Sequence, residues 1–177
     1  MGGMHAHVIL AAGQGTRMRS RLPKVLHPLL GKPMLLYALE AALALKPERL
    51  VVVVGHGGEK VVEALEGYPV EVAWQKEQLG TAHALLQAEG LLRDFPGPFL
   101  VTQGDTPLLS PRTLEALLRR VREGAGMALL TAELPDPTGY GRILREGEEV
   151  LGNVEEKDAP PEVRAIREVN AGAYAFD

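Results

Sequence analysis

The sequence predicts an α/β protein with a doubly wound, mostly parallel sheet and a β-rich C-terminal extension. Three observations lead to this prediction. Short apolar runs alternate with helical patterns up to about residue 134, an order that places helices on both faces of a parallel sheet. A glycine-rich loop follows the first apolar run, as in folds that bind ligands at the carboxyl ends of their strands. Beyond residue 134 the helical patterns give way to short strands.

The composition is typical of a globular protein with an ordinary core. The chain has 177 residues, of which 46% are hydrophobic and 24% are charged, and its formal net charge is −4. This charge provides no general attraction to nucleic acid or to a membrane surface, so basic residues near the first loop indicate a local site. The absence of cysteine excludes disulfides and thiolate metal ligands. We expect a cytoplasmic protein with no nucleic-acid or membrane partner, and leave open whether it forms a homo-oligomer.

The elements of the first part are predicted from apolar runs and helix boundary signals. Residues 6–11 are typical of a strand covered on both faces. Ser110 followed by Pro111 predicts a helix start, because serine caps the first turn and proline suits its first position. Thr81 is predicted to cap another helix, and residues 24–30 are expected to be extended. The other predicted strands are 50–54, 70–74, 98–102 and 127–134, and the predicted helices are 33–45, 59–66, 81–92 and 110–123.

The β-rich extension is predicted from short apolar segments separated by turn residues. Residues 141–145 and 149–154 are predicted to form a hairpin around Gly147, followed by a last strand at 169–176. No internal repeat, low-complexity tract or linker interrupts the sequence. We therefore expect a single domain.

The loop after the first strand has the properties of a phosphate site. Residues 10–16 bring small side chains and glycines to the end of a buried strand, where backbone amides can approach an anion closely because no Cβ holds it off. Arg17, Arg19, Arg21 and Lys24 follow, and such cations donate charge-assisted hydrogen bonds to phosphate oxygens. The alternative is a solvated basic turn, which we favour for Arg19 and Arg21.

Two better-known glycine loops are excluded. The dinucleotide fingerprint requires glycine or alanine where Met18 stands, and an acidic residue after the second strand, where residues 55–58 are Gly-His-Gly-Gly. The P-loop requires serine or threonine after glycine-lysine, and Gly31-Lys32 is followed by Pro33. The first loop therefore binds phosphate in another way.

Polar residues follow two further predicted strands. Gln75 follows the third strand and Asp105 follows the fourth. Ligands of doubly wound sheets bind at this carboxyl edge. A glutamine there is most often simply solvated, and an aspartate after glycine is often a turn residue or helix cap. Asp105 can also bind Mg²⁺, a hard ion that prefers carboxylate and phosphate oxygens. From these residues alone, both interpretations of Asp105 remain open.

The histidines do not have metal-site spacing. His5 and His7 alternate on one strand face, whereas His27, His56 and His83 are scattered. We expect all five to be structural or solvent-exposed.

Six groups of residues carry a family resemblance. They are 10–18 with 22–24, Gln75 with 78–84, 104–108, 136–143, 155–159 and 168–172. The first group, Leu-Ala-Ala-Gly-Gln-Gly-Thr-Arg-Met with Leu-Pro-Lys, resembles the signature of sugar-1-phosphate nucleotidyltransferases. Together the six are similar to the uridylyltransferase domain of bacterial N-acetylglucosamine-1-phosphate uridylyltransferases, in order and over nearly the whole chain.

The resemblance implies the Rossmann-like sheet of nucleotide-diphospho-sugar transferases. It implies transfer of UMP from UTP to N-acetylglucosamine 1-phosphate with Mg²⁺ and without a covalent intermediate, as a step in peptidoglycan precursor synthesis. Residues 1–134 would be the nucleotide-binding part, and residues 135–177 the start of an incomplete sugar-binding part. Arg17 and Lys24 are implied to be catalytic contacts to phosphates, and Asp105 to be the metal ligand.

The same resemblance assigns the remaining site residues. The implied nucleotide-binding residues are Leu10, Ala11, Ala12, Gly13, Gly15, Gln75, Gln78, Gly80 and Thr81, and the implied sugar-binding residues are Gln103, Gly104, Gly141, Glu155 and Asn170. Glutamine offers both a donor and an acceptor, which matches the acceptor carbonyls and the donor N3–H of uracil. Taken singly, each sugar-side residue would be assigned to a turn or to the surface.

This sequence departs from the family pattern on the sugar side. Glu156 stands where a basic residue is commoner, Ala171 where threonine or serine is frequent, and Gln103 where close relatives often have tyrosine. The family's domain also continues past the last residue here, so the resemblance implies a truncated domain without a second metal ligand. The alternatives are a nucleotidyltransferase that uses another sugar 1-phosphate or dTTP, and a nucleotide-binding fragment without turnover.

Overall fold

The computed structural model describes residues 4–12, 22–55, 57–75, 81–107 and 109–177, with 81 and 82 described by their backbone alone. The chain divides into two compact units. The first comprises Met1–Ala128 with Ala175–Asp177, and the second comprises Leu129–Tyr174. The division thus lies a few residues before the predicted boundary between the two parts at residue 134.

The first unit alternates strands and helices along the chain. Its strands are β1 (Ala6–Ala11), β2 (Pro28–Leu29), β3 (Lys32–Pro33), β4 (Arg49–Val54), β5 (Glu71–Trp74), β6 (Phe99–Gln103) and the start of β7 (Met127–Glu133). Its helices are α1 (Met34–Ala44), α2 (Glu59–Ala64), α3 (Thr81–Leu92) and α4 (Pro111–Arg122). The predicted strands and helices agree with these bounds to within one or two residues, except between residues 24 and 33.

Four strands of the first unit form a parallel sheet in the order β5-β4-β1-β6. The chain builds β4 and β5 on one side of β1 and then crosses to add β6 on the other side. The direction of winding therefore reverses between β1 and β6, and this reversal is the topological switch point of a doubly wound sheet. The predicted α/β class, with a mostly parallel sheet, is confirmed.

The sheet is buried on both faces. Ile9 of β1 belongs to an apolar cluster with Leu35 and Leu39 of α1, and all three side chains are fully buried. The adjacent Val8 points to the opposite face and is fully buried there, lining a cavity that Leu85 of α3 also lines. Complete burial of each such side chain stabilises the fold by about 1.5–3 kcal/mol. The strands thus form a rigid platform for the loops at their ends.

The chain at 24–30, predicted to be extended, instead begins with a 3₁₀ turn at Lys24–Leu26. The amides of Leu26 and His27 donate to the carbonyls of Pro23 and Lys24 at 3.0 and 3.1 Å. Val25 and Leu26 are both buried and belong to the apolar core cluster of the first unit. This turn, which is closed by local hydrogen bonds and anchored in the core, replaces the predicted extended conformation.

β2 and β3 form a small hairpin after this turn. Leu29 pairs with Lys32, and the two residues between them, Leu30 and Gly31, have φ values of 53° and 80°. Two successive positive φ values define the tight turn that suits the twist of a two-residue hairpin. The extended prediction is correct only for this second half.

Of the two predicted helix caps, the one at Ser110 is observed. The Ser110 hydroxyl accepts from the amide of Thr113 at 3.2 Å, and Pro111 is the first residue of α4, as predicted. The helix predicted from Thr81 begins at that residue, and the Thr81 side chain predicted to cap it lies outside the described residues.

The second unit is mainly antiparallel. Its further elements are β8 (Arg142–Glu146), β9 (Glu149–Val154), α5 (Pro161–Arg164) and β10 (Glu168–Phe176), the last of which enters the first unit at Ala175. β8 and β9 form the predicted hairpin, with Gly147 at φ 62° in its turn. β8 pairs with β10, and β7 also pairs with β10. The short helix α5 was not predicted. No helix in the described ranges has the length and apolar character needed to cross a bilayer.

Candidate functional site

The carboxyl ends of the four parallel strands lie side by side at one edge of the first unit. Ala11 is in register with Val54, and Val54 with Trp74. On the other side of β1, Leu10 is in register with Gln103. The residues that follow these strands therefore line one edge, and among them are the predicted ligand contacts Ala12, Gln75, Gly104 and Asp105.

Two glycines allow the strand ends to approach each other closely. A Cβ on Gly55 would lie 2.8 Å from the carbonyl oxygen of Ala12. A Cβ on Gly104 would lie 3.0 Å from Val25 Cγ1, and the Gly104 amide donates to the Leu10 carbonyl at 2.9 Å. Leu10, Ala12 and Gly104 are all buried. They shape the floor of this edge, and their backbone is held by packing.

Lys24 and Asp105 form an ion pair at the switch point. The Lys24 Nζ lies 2.9 Å from the Asp105 Oδ2. Lys24 begins the 3₁₀ turn, and Asp105 follows the end of β6 by two residues. The Lys24 side chain is 49% exposed and the Asp105 side chain 29% exposed. The structure therefore brings together the residue predicted to contact phosphate and the residue predicted to bind metal, within reach of solvent.

The turn that carries Asp105 is fixed by a local hydrogen bond. The Thr106 hydroxyl donates to the carbonyl oxygen of Gln103 at 2.9 Å, closing the chain over Asp105. Gln103, predicted to contact the sugar, is partly buried at the end of β6. The Asp105 carboxylate is thus held by a short turn at the end of a rigid strand.

Gln75, the predicted base contact, is held by both its backbone and its side chain. Its amide donates to the carbonyl of Val54 at 2.7 Å, and its side chain is only 3% exposed. The side-chain Nε2 lies 2.9 Å from Nδ1 of His83 on α3. An amide nitrogen can only donate, so His83 Nδ1 accepts. His83 was assigned from the sequence to a structural or exposed role, and its link to Gln75 had no sequence signal beyond its place in the motif.

The second unit groups three predicted sugar contacts around a residue that was not predicted. Asn153 Nδ2 donates to Glu155 Oε1 at 3.2 Å, and the Asn153 side chain fills the space that a Cβ on Gly141 would occupy. The amide of Asn170 donates to the carbonyl of Gly141 at 3.1 Å. Gly141, Glu155 and Asn170 therefore lie together, with Asn153 between the first two. Asparagine on a hairpin strand carries no sequence signal for such a place.

Both ends of the Asn170 side chain are engaged within β10. Its Nδ2 donates to the Tyr174 hydroxyl at 2.6 Å, and its Oδ1 accepts from the amide of Gly172 at 2.8 Å. Gly172 has a φ of 80°, a conformation that favours glycine. The Asn170 amide therefore has a defined orientation before any ligand binds.

The segment before Gly141 is held by a buried arginine. Arg142 is 2% exposed, and its guanidinium donates to the carbonyls of Tyr140 and Arg164. Its Nη2 also lies 3.5 Å from Glu156 Oε1, while Glu156 Oε2 accepts from the Gly139 amide at 2.6 Å. These contacts give Glu156, which departs from the family pattern, a structural role in fixing the chain that leads to Gly141.

Two carboxyl groups of the second unit have lowered pKa values. Hydrogen bonds from Arg145, followed by one from Thr131, hold the pKa of Glu168 below its ordinary value despite partial burial. Hydrogen bonds from the hydroxyl and amide of Thr138 lower the pKa of Asp136. Both groups stay ionised near neutral pH, and both stabilise turns or strand pairs of the second unit.

Several predicted contacts lie outside the described residues. These are Gly13, Gly15, Arg17, Gln78 and Gly80, and Thr81 is described by its backbone alone. Their assignments remain predictions.

The described residues fit a magnesium ion bound by one protein carboxylate. In the described ranges no three histidine or acidic side chains are grouped as a metal cluster. Asp105 instead presents one partly exposed carboxylate at the switch point, already paired with a cation. Mg²⁺ is commonly bound through one or two carboxylates, with waters and substrate phosphates as its other ligands, so this donor set is of the required kind.

Comparison with known proteins agrees with the fold of this chain. Solved structures of similar fold include the inositol-1-phosphate CTP transferase from T. maritima, with a TM-score of 0.78 over 99% of this chain and 71% of that one at 22% identity. Another is apo UDP-glucose pyrophosphorylase, with a TM-score of 0.79 over 98% of this chain and 77% of that one at 21% identity. At these identities the likeness concerns the fold.

Curated relatives are closer in sequence. The chain is 55% identical to the bifunctional protein GlmU of Syntrophotalea carbinolica over 97% of its length, and 53% identical to that of Pelotomaculum thermopropionicum over 97%. It spans 37% and 38% of the length of these two relatives. These matches confirm the resemblance that the six motifs indicated.

The family model of the MobA-like NTP transferase domain matches residues 7–161. The match covers both the switch-point edge, with Lys24 and Asp105, and most of the β-rich part. Together with the parallel sheet, this match shows that the chain belongs to the family of MobA-like NTP transferase domains.

Proposed function

We propose that this chain transfers UMP from UTP to N-acetylglucosamine 1-phosphate and releases pyrophosphate. A phosphate oxygen of the sugar phosphate attacks the α-phosphorus of UTP, and the bond from that phosphorus to the oxygen bridging to the β-phosphate breaks. Pyrophosphate leaves with the electron pair, so no covalent intermediate with the protein is needed. Such a reaction depends mainly on positioning and charge neutralisation.

The observation that carries the proposal is the placement of Lys24 beside Asp105 at the switch point. The pair lies at the edge where doubly wound sheets bind their ligands. A lysine suits phosphate oxygens, and a carboxylate suits the divalent ion that accompanies a triphosphate. Asp105 would hold Mg²⁺, which when bound would supply positive charge against the phosphate oxygens. Lys24, and Arg17 by the family resemblance, would bind the phosphates directly.

Selection of uracil is assigned to the edge beside β5. Gln75 is buried and its amide is oriented by His83, so a base bound there meets a donor and acceptor in defined directions. A base that leaves a buried polar group of the site unpaired binds more weakly. Such a site can therefore distinguish bases by their pattern of hydrogen-bond donors and acceptors. Gln78 and Thr81 are proposed to complete this pocket on the strength of the motif.

Recognition of the sugar is assigned to the second unit. Gly141, Glu155 and Asn170 lie together there, and a carboxylate and an amide can hydrogen-bond to sugar hydroxyls. The resemblance of the six motifs to N-acetylglucosamine-1-phosphate uridylyltransferases supports N-acetylglucosamine 1-phosphate over other sugar phosphates. Another sugar 1-phosphate or dTTP as the substrate is the second candidate.

The test is a pyrophosphate-release assay on the full chain. Reactions contain Mg²⁺ with UTP or dTTP, and N-acetylglucosamine 1-phosphate or glucose 1-phosphate, in all four pairs. We expect release that is fastest with UTP and N-acetylglucosamine 1-phosphate and that stops when either is omitted. Faster release with another pair would replace the proposed substrates.

Binding of UTP without release in any pair would instead identify a nucleotide-binding fragment without turnover. Calorimetric titration with UTP provides that second measurement.

A further inference from the structure

The ion pair between Lys24 and Asp105 joins two groups that have separate roles in the proposed reaction. The Asp105 Oδ2 that lies 2.9 Å from Lys24 Nζ belongs to the carboxylate that would bind the metal. The same Lys24 ammonium would bind a nucleotide phosphate. Neither group can serve in the reaction while it is fully committed to the other.

We propose that Lys24 occupies the cation position at Asp105 in the ligand-free protein and leaves it when the phosphates of a nucleotide bind. A divalent metal then replaces the lysine on the carboxylate, so the metal and the nucleotide bind cooperatively. This inference rests on the proposed function for the identity of the nucleotide. The exchange of cations at Asp105 is a separate property of the chain.

The backbone on both sides of the ion pair is fixed. Lys24 lies in a 3₁₀ turn whose next two residues, Val25 and Leu26, are buried in the core. Asp105 follows β6 in a turn closed by the hydrogen bond from Thr106 to Gln103. The exchange therefore requires no movement of the main chain.

The Lys24 side chain, by contrast, is free to change its position. It is half exposed and joined to its turn by a flexible four-carbon stem. An ion pair of this exposure is weak, because water competes for both charges. Its rotation away from Asp105 is accordingly an easy motion on the side-chain timescale.

Electrostatics makes the exchange depend on the nucleotide. A divalent cation approaching Asp105 meets the positive charge of Lys24 as well as the negative charge of the carboxylate. A triphosphate supplies several negative oxygens that can accept the displaced lysine and ligate the metal. Binding of the nucleotide and binding of the metal are thermodynamically linked. The factor by which the nucleotide increases the affinity for the metal therefore equals the factor by which the metal increases the affinity for the nucleotide.

Direct binding of Mn²⁺, followed by electron paramagnetic resonance, tests this exchange in the full chain without nucleotide. We expect Lys24→Met to bind Mn²⁺ about fivefold more tightly than the wild type. This gain in affinity corresponds to the free energy of one exposed ion pair. The matched control is Lys32→Met. Lys32 pairs with Glu40 at 2.5 Å and lies 4.6 Å from the ring centroid of Tyr37, so its removal subtracts the same charge away from Asp105.

Two further arms assign the effect to Asp105 and to the nucleotide. Adding Asp105→Asn to Lys24→Met should abolish the gain in Mn²⁺ affinity. UTP should increase Mn²⁺ affinity more in the wild type than in Lys24→Met, because the variant has no lysine to displace. Lys24→Gln is measured in parallel as a second neutral replacement.

The proposal is overturned if both neutral replacements of Lys24 bind Mn²⁺ no more tightly than Lys32→Met, or if the gain survives Asp105→Asn. These readouts do not involve turnover. A chain that shows the gain at Asp105 but releases no pyrophosphate would disprove the proposed reaction and leave the cation exchange supported.

Discussion

The side-chain nitrogen of Gln75 lies 2.9 Å from Nδ1 of His83, so the end of β5 is tied to the helix that follows it. The two residues are eight positions apart in the chain. Because Gln75 is buried, its amide has few orientations available, and the histidine selects among them. His83 is therefore a positioning residue for the proposed base pocket.

Replacing His83 with alanine should weaken UTP binding more than it weakens the fold. Loss of one hydrogen bond is worth about 0.5–1.5 kcal/mol, which corresponds to an increase of about two- to tenfold in the dissociation constant for UTP. Calorimetric titration measures this change. In a Gln75→Ala background the same substitution should have little further effect, and an undiminished effect there would show that His83 does not act through Gln75.

Replacing Asn153 with aspartate should impair use of the sugar phosphate. The substitution places a carboxylate where the Asn153 amide now donates to Glu155 at 3.2 Å. Repulsion between the two exposed carboxylates should raise the KM for the sugar 1-phosphate by about threefold, the scale of exposed charge pairs, and leave the KM for UTP unchanged. Steady-state kinetics with each substrate varied in turn separates the two constants.

Leu151→Asp is the control for Asn153→Asp. Leu151 lies on the same strand and is 59% exposed. An aspartate there adds the same charge at a position whose native side chain makes no hydrogen bond to Glu155. Equal effects of the two substitutions would indicate a general charge effect on the second unit.

Replacing Gly55 with alanine should destabilise the strand ends. Its Cβ would lie 2.8 Å from the backbone carbonyl of Ala12, and backbone cannot give way as a flexible side chain can. We expect a loss of about 1–3 kcal/mol in the free energy of unfolding, the usual cost of overpacking. Urea denaturation measures it.

Gly90→Ala is the control in the same assay and should change the free energy of unfolding in the opposite direction. Gly90 lies inside α3 with nothing within 4 Å of a Cβ, so alanine should stabilise the protein by about 0.5–1 kcal/mol. Similar effects of the two alanines would contradict the close approach of Gly55 to Ala12.

Because His7 is buried in its neutral form, the free energy of unfolding should be lower in weak acid than at neutral pH. Burial, followed by repulsion from His5, lowers the pKa of His7 to about 3, from 6.5 for an ordinary histidine. Between these two values the unfolded chain binds a proton that the folded protein does not. The free energy of unfolding therefore falls as the pH is lowered through this interval, by up to about 1.4 kcal/mol per pH unit.

Urea denaturation at pH 7 and pH 5 measures this dependence in the wild type and in His7→Gln. Glutamine can keep a hydrogen bond to Thr102, whose hydroxyl lies 2.8 Å from His7 Nε2, but does not titrate. We expect the wild type to lose about 2 kcal/mol more than the variant over this range. Equal losses would show that His7 is protonated in the folded protein.

Replacing Asp105 with asparagine should abolish turnover and preserve the fold. The substitution keeps the shape of the side chain and removes the charge that would bind the metal, and loss of one such electrostatic group costs about 100-fold or more in rate. The ion pair to Lys24 is partly exposed, so the unfolding free energy should change by less than about 1 kcal/mol. Pyrophosphate release and urea denaturation measure the two effects.

Asp94→Asn, an exposed aspartate after α3, is the matched control and should retain full turnover. An Asp105→Asn variant as active as this control would remove Asp105 from the reaction.

Much of the fold could be predicted because its signals lie in neighbouring residues. The buried strands of the parallel sheet are continuous apolar runs, and α4 begins at a serine and proline whose capping bond spans three positions. Where the prediction was wrong, at Lys24–Leu26, the turn combines local hydrogen bonds with burial of Val25 and Leu26 in the core. A local pattern cannot express that burial.

The site could be predicted only in part, for a related reason. Asp105 and Gln75 could be proposed as site residues because each follows a predicted strand, and the carboxyl ends of parallel strands share an edge. Asn153 was missed because nothing near it in the sequence indicates that the hairpin brings it against Gly141 and beside Glu155. His83 was predicted to be structural or solvent-exposed, and its hydrogen bond to Gln75 was not predicted.

The amino-acid sequence by itself determined the order of strands and helices, the winding of the sheet and the edge at which its polar residues collect. These follow from hydrophobic periodicity and from helix and turn signals, which depend on residues close together in the chain. The tertiary structure alone decided that Lys24 pairs with Asp105, that His83 orients Gln75 and that Asn153 lies between two predicted sugar contacts. Such pairings depend on strand register and packing, which bring distant residues to within a few ångströms, and no local pattern encodes them.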